Sequence, residues 1–242
     1  MPMSNKNVLD CGLRSLDSEE KRRVLDALQL LINIFWSGQE RKNWAELWDI
    51  SLRVWSCLEK IVFKDCPEIV RFIQRQNSLG KSRVILQDLE SDFVRIFINT
   101  RAGVSAPLYH SCYIDDGKHL MQHPALEMLD RLQDAGLSRD NPGEPADHLC
   151  IELEYLYLLL SLEMREQDSE LTWETADFSG NFMLPWVLRF QAKIPGSGAG
   201  MFFSLSAAAM KDLLYFLGGR NNDRPDKFAG RERQKRTGFD RG

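Results

Sequence analysis

The 242-residue chain lacks most of the features that announce catalysis or a membrane span. No uninterrupted apolar run approaches the roughly 20 residues that a spanning helix needs. Even the run from Tyr155 to Leu160 is closed by Glu154 before it and by Ser161 and Glu163 after it. The first residues, Met1-Pro-Met-Ser-Asn-Lys, lack the apolar core of a secretory signal. Together these absences point to a cytoplasmic protein with no stable membrane insertion. The five cysteines, Cys11, Cys57, Cys66, Cys112 and Cys150, include no Cys-x-x-Cys pair and are odd in number. That pattern fits reduced thiols better than a disulfide framework or a zinc site. His119 and His123 are four apart and close to Asp115 and Asp116, but Pro124 argues against one helix running through both, so no metal site is expected. No Gly-x-Ser-x-Gly elbow occurs, and neither Cys112 nor Cys150 sits in a motif that supplies a base. The glycines at 196, 198 and 200 lack the Lys-Ser/Thr and the preceding strand of a phosphate loop. Neither a catalytic residue nor a cofactor is expected.

Period-two alternation of useful length is also missing, which argues against a sheet. Helical patterns fill the space instead. Asp17 and Glu20 form a capping signature ahead of Val24, Leu25, Leu28, Leu31, Ile32 and Phe35, predicting a helix over about 18–37. Asn43 is the expected cap of a second helix, striped by Trp44, Trp48, Leu52 and Trp55. A third helix runs through Phe72 and Ile73 to a stop at Asn77-Ser-Leu-Gly80, and a fourth covers about 81–99. Further helices are expected over about 124–135, 170–190 with a break near Gly180, and 201–217. The most apolar segment opens at Glu144-Pro145-Ala146-Asp147-His148-Leu149. Pro145 suits a first helical turn, and beyond it only Glu152, Glu154, Ser161 and Glu163 interrupt an apolar surface that runs nearly all round. Such a helix must be buried on most sides. The expected fold is therefore all-α, one globular domain of roughly nine to eleven helices around a central helix at about 145–164.

Residues 218–242 hold eight basic and four acidic residues, a net +4, which leaves the preceding 217 residues at −8 within an overall charge of −4. The expected division is a helical domain over 1–217 and a basic, disordered tail over 218–242. An acidic body argues against nucleic acid as the partner and suits a basic peptide. Between the fourth and fifth helices lies a loop of unusual composition, in which Tyr109 and Tyr113 bring rings that a solvent loop does not need.

Ala106-Pro107-Leu108-Tyr109-His110-Ser111-Cys112-Tyr113, after the Phe93-Val-Arg-Ile-Phe97 helix, and Glu144-Pro145-Ala146-Asp147-His148-Leu149, ahead of Glu152-Leu153-Glu154, resemble the two signature segments of the TorD/DmsD/NarJ-like family. The likeness covers about residues 80–217. It departs near Trp186, where the family often has a His-Leu pair and this chain reads Phe182-Met-Leu-Pro185-Trp186. The resemblance implies a cytoplasmic, non-enzymatic chaperone for molybdoenzymes of the dimethyl-sulfoxide-reductase class. Its partner would be the apo catalytic subunit, held by an N-terminal leader, commonly a twin-arginine export signal, until the molybdenum cofactor is loaded. The implied leader-binding residues are Tyr109, Ser111, Tyr113, Pro145, Asp147 and His148. Asp147 would offer its carboxylate to a leader arginine, His148 would position Asp147 or the peptide, and the tyrosines would give apolar contact. On that basis, loss of the Asp147 carboxylate should weaken leader binding with little change in melting temperature. Alternatives are an assembly factor of NarJ type for a client without an export signal, and a nucleotide-binding or nucleotide-hydrolysing enzyme, since some relatives suggest a weak guanine-nucleotide ligand. A monomer and a homodimer with exchanged helices both fit the fold.

Overall fold

The computed structural model describes residues 12–37, 42–59, 61–62, 68–98, 103–114, 123–137 and 143–219. The expected tail beyond Gly219, the His119 half of the histidine pair, Asp115, Asp116, Cys11 and Cys66 lie outside them. The first helix, α1 (Ser18–Phe35), starts where the sequence placed it. The Asp17 carboxylate accepts the Glu19 and Glu20 N–H groups, and Glu20 reaches back to the Asp17 N–H at 2.9 Å. This reciprocal cap satisfies donors that would otherwise have no partner in the first turn. Asn43 caps α2 (Trp44–Leu58) with its side-chain oxygen, which accepts the Glu46 N–H at 3.2 Å. Then follow α3 (Glu68–Ser78), α4 (Ser82–Phe93), α5 (His123–Asp134), α6 (Leu149–Glu166), α7 (Ser169–Asp177), α8 (Leu184–Lys193) and α9 (Gly200–Gly218). Among the described residues the only strand-like pairing is one isolated antiparallel bridge, Tyr109 with His148.

Two boundaries differ from the sequence expectation, each for a physical reason. The central helix begins at Leu149, not near Pro145. The backbone of 147–149 is instead paired with the 108–110 loop: the His110 N–H donates to the Asp147 carbonyl at 2.9 Å and the Leu149 N–H to the Leu108 carbonyl at 2.8 Å. This holds His148 extended, at φ −68° and ψ 134°, as the N-cap of α6. Pro145 and Asp147 therefore precede the helix. The break expected near Gly180 is a π-helical stretch, Phe178–Met183, that joins α7 to α8 without interruption. A similar stretch, Val94–Ile98, prolongs α4.

The helices share one core. Phe35 of α1 meets Phe97 and Phe190 edge-on at 5.6 Å, and Phe97 meets Phe203 of α9 at 5.3 Å. Trp44 of α2 closes this aromatic cluster against Phe93 and Phe203. Edge-to-face rings at these separations add about 0.5–1.5 kcal/mol per pair beyond the area they bury. Two of the three acids that interrupt the apolar surface of α6, Glu152 and Glu163, turn inward, while Glu154 stays exposed. Glu163 is paired with Lys21 of α1 at 2.7 Å and accepts from Thr172 of α7 at 3.3 Å, tying three helices together. α9 is long and apolar enough to cross a membrane by composition, but 61% of that window is buried inside the protein, as suits a core helix.

Gly180 and Gly218 bring the π stretch and the end of α9 into backbone contact. A Cβ on Gly180 would stand 2.9 Å from the Gly218 Cα, and one on Gly218 would overlap the Gly180 Cα and N. Neither neighbour is a flexible side chain that can swing away. Gly218→Ala is expected to lower stability by about 1–3 kcal/mol in urea melts. Gly196→Ala, where a Cβ meets nothing, is expected to leave stability nearly unchanged; equal effects would mean the two backbones are free to separate.

Candidate functional site

The two distinctive sequence segments form one unit. Besides the backbone pairing of 108–110 with 147–149, one Asp147 carboxylate oxygen accepts the Ser111 N–H at 2.8 Å. The Tyr109 hydroxyl donates to Glu144 at 2.7 Å, and the Tyr113 hydroxyl donates to the Pro107 carbonyl at 2.7 Å. The His148 ring lies edge-on between Trp36 and Tyr109, at 5.5 and 5.2 Å. Its Nδ1 accepts the Cys150 N–H at 3.2 Å, so in the neutral ring the proton is on Nε2. Asp147 has no exposed surface and His148 has 1%. The second Asp147 oxygen, the Ser111 hydroxyl and the His148 Nε2 have no hydrogen-bond partner among the described residues.

Behind this unit lies a second buried network. Glu152 of α6, fully buried, has one oxygen 3.0 Å from His110 Nδ1, and the other accepts the Trp186 indole N–H at 2.9 Å. The His110 ring stacks on Trp186 at 5.1 Å. Burial raises the Glu152 pKa well above the ordinary carboxylate range and lowers that of His110 to about 3. Burial thus disfavours the charged form of both groups, and the hydrogen bond between them supplies the polar partner that each needs in the core. Sequence spacing alone does not reveal this triad. Glu152 looked like an interruption of an apolar helix, and Trp186 like a departure from pattern. The available signal is an acid set within an otherwise apolar helix, which has to find polar partners in the core.

In front of the unit opens a cleft of about 570 Å³. Its apolar lining comes from Phe93, Val94, Phe97 and Ile98 at the end of α4 and from Val104 and Pro107; its polar lining comes from Ser37, Lys42, Glu90, Tyr109 and Cys112. Val94 and Ile98 leave 42% and 43% of their surface in solvent beside it. Lys42 is folded over the Phe93 ring, 3.9 Å from its centroid, and donates to the Ile34 carbonyl. Burial lowers its pKa to about 8, with Cys150 and Glu90 opposing that shift. Burial and the nearby Asp147 charge raise the Cys112 thiol, against Lys193, so it is no activated nucleophile.

Of the six residues singled out in the sequence, the structure gathers all into this unit, but only Tyr109 lines the cleft. Tyr113 is buried against Trp186 and Phe190. Ser111, Asp147 and His148 are interior, and Pro145 carries the turn whose carbonyl accepts the His148 N–H at 3.2 Å. The Asp147 carboxylate thus faces the loop and not the solvent. Deleting it strands the buried Ser111 N–H at a cost of about 1–3 kcal/mol, so it is not the stability-neutral position expected from sequence. No cluster of three or more potential metal ligands occurs among the described residues, and His123 lies 3.6 Å from Glu127.

Residues 63–192, a span that holds both segments, match the family model described as nitrate reductase delta subunit. The chain belongs to the TorD/DmsD/NarJ-like family. It is 30% identical over 162 residues to chaperone protein TorD of Vibrio parahaemolyticus, covering 63% of this chain and 75% of that one. A TorD chaperone of Vibrio cholerae is 28% identical over 155 residues, covering 62% and 68%. A crystal structure of a candidate redox enzyme maturation protein from Archaeoglobus fulgidus aligns with 82% of this chain and 95% of its own, at a TM-score of 0.42 and 18% identity. The curated relatives are chaperones, and the chain is a member of a chaperone family, not of an enzyme family.

The His148 cap makes stability depend on pH. Burial, more than the opposing Glu144 and Asp147 charges, lowers its pKa from 6.5 to about 4. The folded state disfavours the protonated ring, so this contribution is complete above about pH 6.5 and is lost as the pH falls toward 4. His148→Asn keeps a capping acceptor without a titrating group. It is expected to flatten the fall in urea-melt stability between pH 7 and pH 4; an unchanged slope would assign that fall to other groups.

Proposed function

We propose that this chain is a cytoplasmic chaperone that holds the N-terminal leader of an apo molybdoenzyme of the dimethyl-sulfoxide-reductase class in the cleft beside Tyr109. The observation that carries this is the cleft itself. Its apolar floor of Phe93 and Phe97, its exposed rim of Val94 and Ile98, and the Glu90 carboxylate match a segment with basic residues followed by apolar ones. About 570 Å³ accepts a few peptide side chains and is too small for a folded domain. The charged contact first assigned to Asp147 passes to Glu90, which lines the cleft and accepts the Trp44 indole N–H.

Tyr109, with Pro107 and Cys112 of the same segment, is then the part of the signature that touches the leader. Ser111, Tyr113, Pro145, Asp147 and His148 act as positioning residues, fixing the loop on which Tyr109 stands. Binding the leader would keep the client from export while its cofactor is inserted, and residues 1–217 would serve as one domain with 218–242 as a basic appendage. A client without a working export signal fits the same cleft, since the apolar contacts are independent of the twin arginines. A guanine nucleotide is less well supported, because Lys42 is the single Lys or Arg in the lining and it is already turned onto Phe93.

The test is calorimetry with a synthetic N-terminal peptide of the client found bound to this chain in its native cell. Val94→Asp with Ile98→Asp changes two exposed positions, so the melting temperature should hold while affinity falls about tenfold or more. Undiminished affinity in that variant would place the leader elsewhere.

A further inference from the structure

The α3–α4 hairpin carries a charge pattern that leader binding does not use. From Ile69 to Gln87 the chain has four basic residues, Arg71, Arg75, Lys81 and Arg83, and no acid, in a body whose net charge is −8. All four are exposed, and none makes an ion pair or side-chain hydrogen bond among the described residues. Elsewhere on the surface, Arg22, Arg23, Arg95, Arg165 and Lys211 each pair with a nearby acid.

The same hairpin exposes two aliphatic side chains. Val84 leaves 61% of its surface in solvent and Leu79 53%. They flank the turn at Gly80, whose φ of +65° reverses the chain and around which a Cβ would meet nothing within 4 Å. No side chain between Ile73 and Leu89 is buried. The side chains around the turn therefore lie at the surface, while the indole N–H of buried Trp48, donated to Asn77 at 3.1 Å, fixes the turn against α2.

We propose that this tip is a membrane-docking surface for anionic phospholipid, with the four cations over the headgroups and Leu79 and Val84 entering the interface. Charge complementarity selects an anionic partner, because each Lys or Arg near an anionic bilayer adds to adsorption. The two protruding aliphatics select a lipid surface among anionic partners, since amphipathic segments bury such groups at the headgroup boundary. A convex tip encloses no peptide, and it exposes no aromatic ring to stack on a base. This is peripheral, reversible adsorption and requires no spanning helix.

The experiment is co-sedimentation of the full chain with vesicles of phosphatidylcholine alone and of equal parts phosphatidylcholine and phosphatidylglycerol. Binding is expected to the mixed vesicles only, with release on raising sodium chloride from about 0.1 to about 0.5 M. Arg75→Glu with Lys81→Glu and Arg83→Glu is expected to weaken it about tenfold or more, with the circular-dichroism spectrum unchanged. Leu79→Ser with Val84→Ser, which keeps every charge, is expected to weaken it less while preserving the salt dependence. Full binding by the charge-reversed chain would assign adsorption to another basic segment and overturn the proposal. So would absence of binding to the mixed vesicles, including the case in which the tip captures an acidic polypeptide instead.

Discussion

Everything at the candidate site depends on one constraint: the 106–113 loop is fastened by its backbone to the three residues that lead into α6. Two main-chain hydrogen bonds and the Ser111 N–H to Asp147 bond make the fastening, and all of it is out of water. Buried amide and carbonyl groups cost free energy unless paired, so the loop and the helix start satisfy one another. The consequence is a rigid platform on which Tyr109 projects toward the cleft and Tyr113 toward the core. The signature segments are thus a structural clasp first, with a ligand-facing edge.

The interior behind the clasp is polar in a way that calls for neutral groups. Glu152, His110 and Trp186 link α6, the loop and α8 by hydrogen bonds. A proton shared between a buried acid and a buried imidazole avoids placing a net charge in a low-dielectric core. At Glu163 the solution is different, because Lys21 arrives from α1 and supplies the counter-charge. The central helix therefore carries two buried acids, one hydrogen-bonded to an imidazole and an indole and one in an ion pair, and each ties neighbouring elements to it.

Much of this was legible in the sequence, and the exceptions have physical causes. The Asp17–Glu20 cap, the Asn43 cap and the Trp44 stripe act within one helix, where spacing alone determines the contact. The α6 start was misplaced because Pro145 is locally compatible with a first turn, while the pairing that keeps 147–148 extended comes from a loop some 36 positions earlier. Gly180 read as a breaker because its role, contact with Gly218, is equally remote. Asp147 stands out in the sequence, but the direction in which a side chain at a helix entrance turns does not, and here the carboxylate faces the Ser111 N–H inside the clasp. The cleft, with Lys42, Glu90 and Cys112 in its lining, joins segments that no local pattern connects.

The central claim is that the cleft in front of the clasp receives the client's leading segment. Hydrogen–deuterium exchange of the full chain, with and without that peptide, tests it without any mutation. Slower exchange confined to residues 93–98 and 104–113 is the result this account requires. Protection appearing only in other helices, with those two stretches exchanging as in the free protein, would contradict it.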